Sequence, residues 1–232
     1  YNTNIFKYKP KEDLQARFTK VLKIQQIKPV SIFLGNSRPQ RAFNSAHRYF
    51  TQPAFNAALP GSSLYEAKAY LQWAIKQGNL KQVLLVFDDK TLLSSNSKLD
   101  DFDEYFKNPN PYKILFSFQT FRDSIATAFN YGKIPLYEPD GRRTEASLLE
   151  EVQKNGGYYK YSINTLENGY MAKYNKNEVS KLSYKVFIDI LKECHDNNIK
   201  LDIAISPLHV RLLEAMDYRV GLDAAWYEWK SR

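Results

Sequence analysis

One cysteine, three histidines, two methionines and nine glycines in 232 residues leave this chain short of several kinds of chemistry. Cys194 alone makes no internal disulfide, and one thiol with His47, His195 and His209 offers little for a zinc site, so no metal and no cofactor is expected. Long apolar runs are missing too. The longest, Val83-Leu84-Leu85-Val86-Phe87, falls far short of the ~20 residues that span a bilayer. The chain begins at Tyr1 rather than Met, which reads as a processed or truncated product whose anchor or signal lay upstream.

What is present is a basic chain of net charge +8 in which lysines are interleaved with acids. No nucleic-acid motif accompanies that charge, so it is read as solubility rather than as an RNA or DNA surface. Apolar residues at 44% and charged residues at 25% are those of an ordinary globule, one domain over 1–232.

Periodicity sets out the elements. Residues 11–27 place Leu14, Phe18, Val21 and Leu22 on one helical face, and Pro29 to Leu34 form a short β-branched and aromatic strand stopping at Gly35-Asn36-Ser37. A helix opened by Pro39 is predicted over 39–50, and a short strand over 54–58. A helix from Ser63, with Leu64, Ala67, Leu71, Ala74 and Ile75 on one face, is stopped by Gly78. Gln82 to Phe87 is a continuous apolar strand of the kind buried on both faces of a parallel sheet. Residues 90–178 are irregular and read as an insertion or cap, with one helix over 113–131. Alternation resumes with a helix over 179–197, where Leu182, Val186, Phe187, Ile190, Leu191 and Cys194 share a face, and a strand over 200–205. Strand and helix in alternation imply right-handed crossovers and a parallel α/β sheet with helices on both faces.

In such a sheet, ligands bind outside the carboxyl ends of the strands. Those ends carry Gly35-Asn36-Ser37-Arg38, Leu59-Pro60-Gly61-Ser62, Phe87-Asp88-Asp89 and Ser206-Pro207-Leu208-His209. A serine after the first strand and a histidine after the last are the pair that nucleophilic acyl transfer needs, because imidazole takes the hydroxyl proton and returns it to the leaving group. Glycines at the first two ends let backbone N–H groups approach a developing oxyanion. A phosphate-binding reading is weaker, since Gly35-Asn36-Ser37 is not a glycine-rich phosphate loop.

These blocks resemble the SGNH (GDSL-type) hydrolases: Gly-Asn-Ser after strand one, a glycine after strand two and a late Pro-x-His. The likeness is closest to bacterial extracytoplasmic SGNH-like proteins with a Gly-x-Ser-Arg turn, an Asn-x-x-x-Pro-Gly segment, here Asn56 to Gly61, and a late Ser-Pro-x-His, here Ser206 to His209. The resemblance implies a three-layer, flavodoxin-like parallel sheet with a partly helical insertion after the third strand. It implies acyl transfer or ester hydrolysis on a cell-surface carbohydrate, outside the cytoplasm, in a protein tethered by an N-terminal membrane helix. Ser37 would be the nucleophile, His209 the base, and the Ser37 and Gly61 amides part of the oxyanion hole. Arg38, Asn56, Asp88 and Ser206 would contact or support substrate. Two positions depart from the pattern. Ser206 stands where the family has the aspartate that orients the histidine, and Asp88 stands where an asparagine donor is usual. The related chains also run past a Trp-Lys segment, here Trp229-Lys230, to a second late histidine, an alternative base to His209. A catalytically inert module that binds polysaccharide or an assembly partner is the rival reading.

Other residues read as structural: His47 on a surface helix, Cys194 in the core beside an outward His195, and the acidic run 100–104 as a solvated segment without calcium-loop register. Tyr158, Tyr159 and Tyr161 alternate as in a half-buried strand, with sugar stacking as the other use of such rings.

Overall fold

The computed structural model describes residues 15–88, 91, 102–107, 135–165 and 180–207, with isolated positions between 122 and 129 and between 210 and 218. In chain order its elements are α1 (Ala16–Ile27), β1 (Ser31–Gly35), α2 (Ser37–Ala42), β2 (Ala54–Asn56), α3 (Leu64–Lys76), β3 (Gln82–Phe87), α4 (Glu104–Lys107), α5 (Glu145–Lys154), α6 (Tyr158–Asn164), α7 (Lys181–Asp196) and β4 (Lys200–Ile205). The four strands form one all-parallel sheet in the order β2-β1-β3-β4. The expected α/β class and parallel sheet are therefore present, with β1 and β3 at its centre.

The sheet buries both faces by simple alternation. Ile32, Leu34, Val83 and Leu85 point into a large core with Val21 and Ile24 of α1, Leu71 and Ala74 of α3, and Ile190 and Cys194 of α7. Phe33, Leu84 and Val86 point the other way, onto Phe43 and Phe50. That second cover is where the predicted 39–50 helix fails. The helix ends at Ala42, with Phe43 extended, because Phe43 and Phe50 both meet the Phe33 ring, at centroid distances of 6.5 and 4.4 Å. His47 accordingly lies in an exposed turn, not on a helix.

Sequence and structure agree on α3, which Ser63 caps by accepting the Glu66 N–H and which Gly78 follows at φ +87°. They agree on α7 and β4 as well, although Leu182 is turned out to solvent. In α1 the buried face is Ala16, Lys20, Val21 and Ile24, which shares only Val21 with the expected face: Phe18 and Leu22 are half-buried, and a lysine lies in the core. Leu14 lies outside the described residues, as do most of the predicted 113–131 helix and His209.

The described parts of the 90–178 stretch join the main core. Phe102 is wholly buried against Tyr65, Tyr70 and Phe106, and Tyr137 packs in the same cluster. Residues 140–143 are fixed to the end of β2 and to α2: Asn56 N–H donates to Asp140 O at 2.7 Å and Arg143 N–H to Gln40 O at 3.1 Å. Gly141, at φ +87°, touches β2 so closely that a Cβ there would lie 2.4 Å from Asn56 O. The tyrosines at 158, 159 and 161 lie on α6 rather than on a strand, and Tyr158 and Tyr159 are exposed. The Gly156-Gly157 pair at positive φ starts that helix, which the alternation of aromatics had masked.

Candidate functional site at the carboxyl edge of β1 and β3

The order β2-β1-β3-β4 puts the reversal of winding between β1 and β3, the crevice where open parallel sheets bind ligands. Gly35 closes β1 at φ +139°, paired with Val86, and a Cβ on it would lie 2.0 Å from Val86 O. Only glycine lets the chain leave the sheet so close to β3.

The next three residues are held by one carboxylate. Asn36 caps α2, its Oδ1 accepting the Arg38 N–H at 3.0 Å, while its Nδ2 donates to Asp88 Oδ2 at 2.8 Å. Arg38 Nη1 lies 3.0 Å from the same oxygen. The other oxygen, Oδ1, accepts Thr91 N–H at 3.2 Å and Thr91 Oγ1–H at 2.9 Å. Ser37 sits between Asn36 and Arg38 as the first residue of α2, half-buried, and among the described residues nothing hydrogen-bonds its hydroxyl. Its flanks are thus locked on both sides.

The loop after β2 runs beside this turn. Ala57 N–H donates to Phe33 O at 2.9 Å and Leu59 N–H to Gly35 O at 3.0 Å, which carries Pro60 and Gly61 past the end of β1. Gly61 is in the left-handed region at φ +65° with open space around it. Asn56 does not face this space. It is buried, its Nδ2 donating to Pro39 O at 2.9 Å and its Oδ1 accepting Ala58 N–H at 3.1 Å, so it supports the site by sewing β2 to α2. Ser206 N–H donates to Phe87 O at 2.8 Å, extending the β3-β4 ladder toward the same edge.

Residues that sequence reasoning passed over hold this frame. Thr91 completes the Asp88 clamp, and an acid followed three residues later by threonine is a local side-chain turn that could have signalled it. Lys20 reaches across from α1, its Nζ donating to Asn56 O at 2.9 Å, Ala58 O at 2.5 Å and Gly141 O at 3.2 Å. The signal was its spacing, four residues from both Ala16 and Ile24 on the buried face.

No protein-family model, curated protein or solved structure matches this chain. Of the two described histidines neither is at the site: His47 Nδ1 accepts Tyr49 N–H at 3.3 Å in an exposed turn, and His195 pairs with Asp196 on the surface of α7. Cys194 is buried, and burial raises its thiol pKa to about 11, so it is not a nucleophile. Among the described residues no group of three or more His, Cys, Asp and Glu could hold a metal ion, and no helix is long and apolar enough to cross a membrane. What the crevice offers is the Ser37 hydroxyl, backbone N–H groups at a helix start and at Gly61, and a guanidinium held beside them.

Proposed function

We propose that this is an SGNH-like serine acyltransferase or esterase with a flavodoxin-like fold, acting on a cell-surface carbohydrate outside the cytoplasm, in a membrane-tethered protein. The observation that carries the proposal is that Ser37, whose Oγ bonds to nothing among the described residues, stands at the β1/β3 switch point between two residues clamped by Asp88. In the reaction, Ser37 Oγ attacks the ester carbonyl carbon, its proton passes to a base assigned to His209, and the oxyanion receives the Ser37 and Gly61 N–H groups. Collapse expels the alcohol, which takes the proton, and leaves an acyl-Ser37. An acceptor hydroxyl, or water, then attacks that ester and frees the serine.

Labelling with a serine-directed fluorophosphonate, read by intact mass, tests this. One adduct that disappears in Ser37→Ala is expected; labelling that persists in that variant, or none in the parent, refutes it.

A second reading, a catalytically inert module that binds polysaccharide or an assembly partner, draws on Asp88. It stands where the related hydrolases have an asparagine donor, and both its oxygens are occupied by Asn36, Arg38 and Thr91. Turnover of p-nitrophenyl acetate that is lost in both Ser37→Ala and His209→Ala excludes that reading.

A further inference from the structure

The outward side of α2 carries positive charge that its neighbours match poorly. Pro39 and Gln40 are its buried positions, so Ser37, Arg38 and Arg41 form its open side. At ~100° per residue these three fall within an arc of roughly 100°, with Arg41 between the serine and Arg38. Asp88 matches Arg38. Among the described residues Arg41 has only Glu151 of α5, whose Oε2 is 3.5 Å from Arg41 Nη2 and 3.8 Å from Arg143 Nη2. Two guanidiniums thus share one carboxylate oxygen, and that oxygen makes no hydrogen bond; neither does the buried Arg41 Nε. Arg143 is oriented by its own contacts, its backbone N–H on Gln40 O and its Nε donating to Ser147 Oγ at 3.3 Å.

We propose that Arg41 and Arg143 form an anion-binding subsite beside Ser37, taking a carboxylate or phosphate group carried by the substrate. This deepens the reading of Ser37 as the reacting serine and names its substrate class, an acidic glycan. A guanidinium meets such an anion with paired parallel N–H donors, here Nε and Nη2 of Arg41. Glu151 occupies the place of that anion with contacts too long to be hydrogen bonds, so a better-shaped ligand displaces it.

Titration calorimetry at low salt with galacturonate, inorganic phosphate and neutral methyl galactoside tests the subsite on the full chain. At least one anion is expected to bind about tenfold or more tightly than the neutral sugar, the difference a charge-assisted hydrogen bond makes, and the tighter anion tells carboxylate from phosphate. Arg41→Gln is expected to weaken that binding by a similar factor. Glu151→Gln should strengthen it several-fold by removing the competing carboxylate, a gain that a merely structural role does not produce. Equal binding of the neutral sugar, no loss in a folded Arg41→Gln, or no gain in Glu151→Gln overturns the subsite; the last comparison decides alone if Arg41→Gln does not fold. Anion binding that depends on Arg41 in a protein the phosphonate does not label overturns acyl transfer and keeps the subsite. Labelling at Ser37 without Arg41-dependent anion binding does the reverse.

Discussion

Replacing Asp88 with alanine strips three donors of their acceptor at once, Asn36 Nδ2, Thr91 N–H and Thr91 Oγ1–H, and leaves the Arg38 guanidinium without its counter-ion. Removing one partner of a fully buried ion pair costs about 3–5 kcal/mol, because the other charge is left without compensation. The Asp88 side chain is 9% exposed but that of Arg38 is 24% exposed, so water reaches part of the guanidinium and lowers the figure. We expect a loss of about 2–4 kcal/mol, which in a chain of this size lowers Tm by roughly 5–15 °C. Urea unfolding followed by tryptophan fluorescence and far-ultraviolet circular dichroism measures it. Combining Asp88→Ala with Arg38→Met should destabilise less than the sum of the single changes, by about 1–3 kcal/mol, because the stranded charge goes with the arginine. A Tm shift below about 1 °C for Asp88→Ala, or additivity within about 0.5 kcal/mol, would refute the view that this carboxylate clamps the turn bearing Ser37.

Two glycines near the crevice should respond differently to alanine. Gly35→Ala drives a Cβ to 2.0 Å from Val86 O and is expected to cost about 3 kcal/mol or more, whereas Gly61→Ala meets open space and costs only about 1 kcal/mol for its left-handed backbone; equal melting temperatures for the two variants would contradict this. Lys20→Met removes the donor shared by three buried carbonyls and should lower stability by about 2–4 kcal/mol, measured in the same urea titration, with a neutral result showing that water replaces the ammonium. The Cys194 thiol, held up to about 11 by burial, should stay silent to Ellman's reagent in the native protein at pH 8 and react on unfolding. Since its folded pKa lies above the ordinary thiol value of 9.0, the folded chain keeps a proton that the unfolded chain releases, so its contribution is whole below pH 9 and fades as pH rises towards 11. Cys194→Ser should flatten that alkaline decline.

By itself the sequence determined the strands and their ends. β3 is a run of apolar residues that can only be buried on both faces, β1 stops where Gly35-Asn36-Ser37 offers turn chemistry, and α3 begins at a serine cap; these are short-range effects of sterics and local hydrogen bonding. The parallel sheet follows from their alternation with helices, and with it the gathering of Ser37, Arg38, Asp88 and the Gly61 loop at one edge. Tertiary structure alone decided the rest. Phe43 and Phe50 break the expected helix because one ring on the sheet, Phe33, attracts both. Tyr159 and Tyr161 alternate as strand residues do, yet the chain there coils into α6. Asp88, which in sequence is a charge in the wrong place, is matched by a guanidinium 50 positions earlier in the chain. Lys20 lies in the core because three carbonyls, 36, 38 and 121 residues away in the chain, converge on its ammonium. Periodicity reads which face of a helix is buried, but whether a charge can live on that face depends on partners that only the folded chain brings within reach.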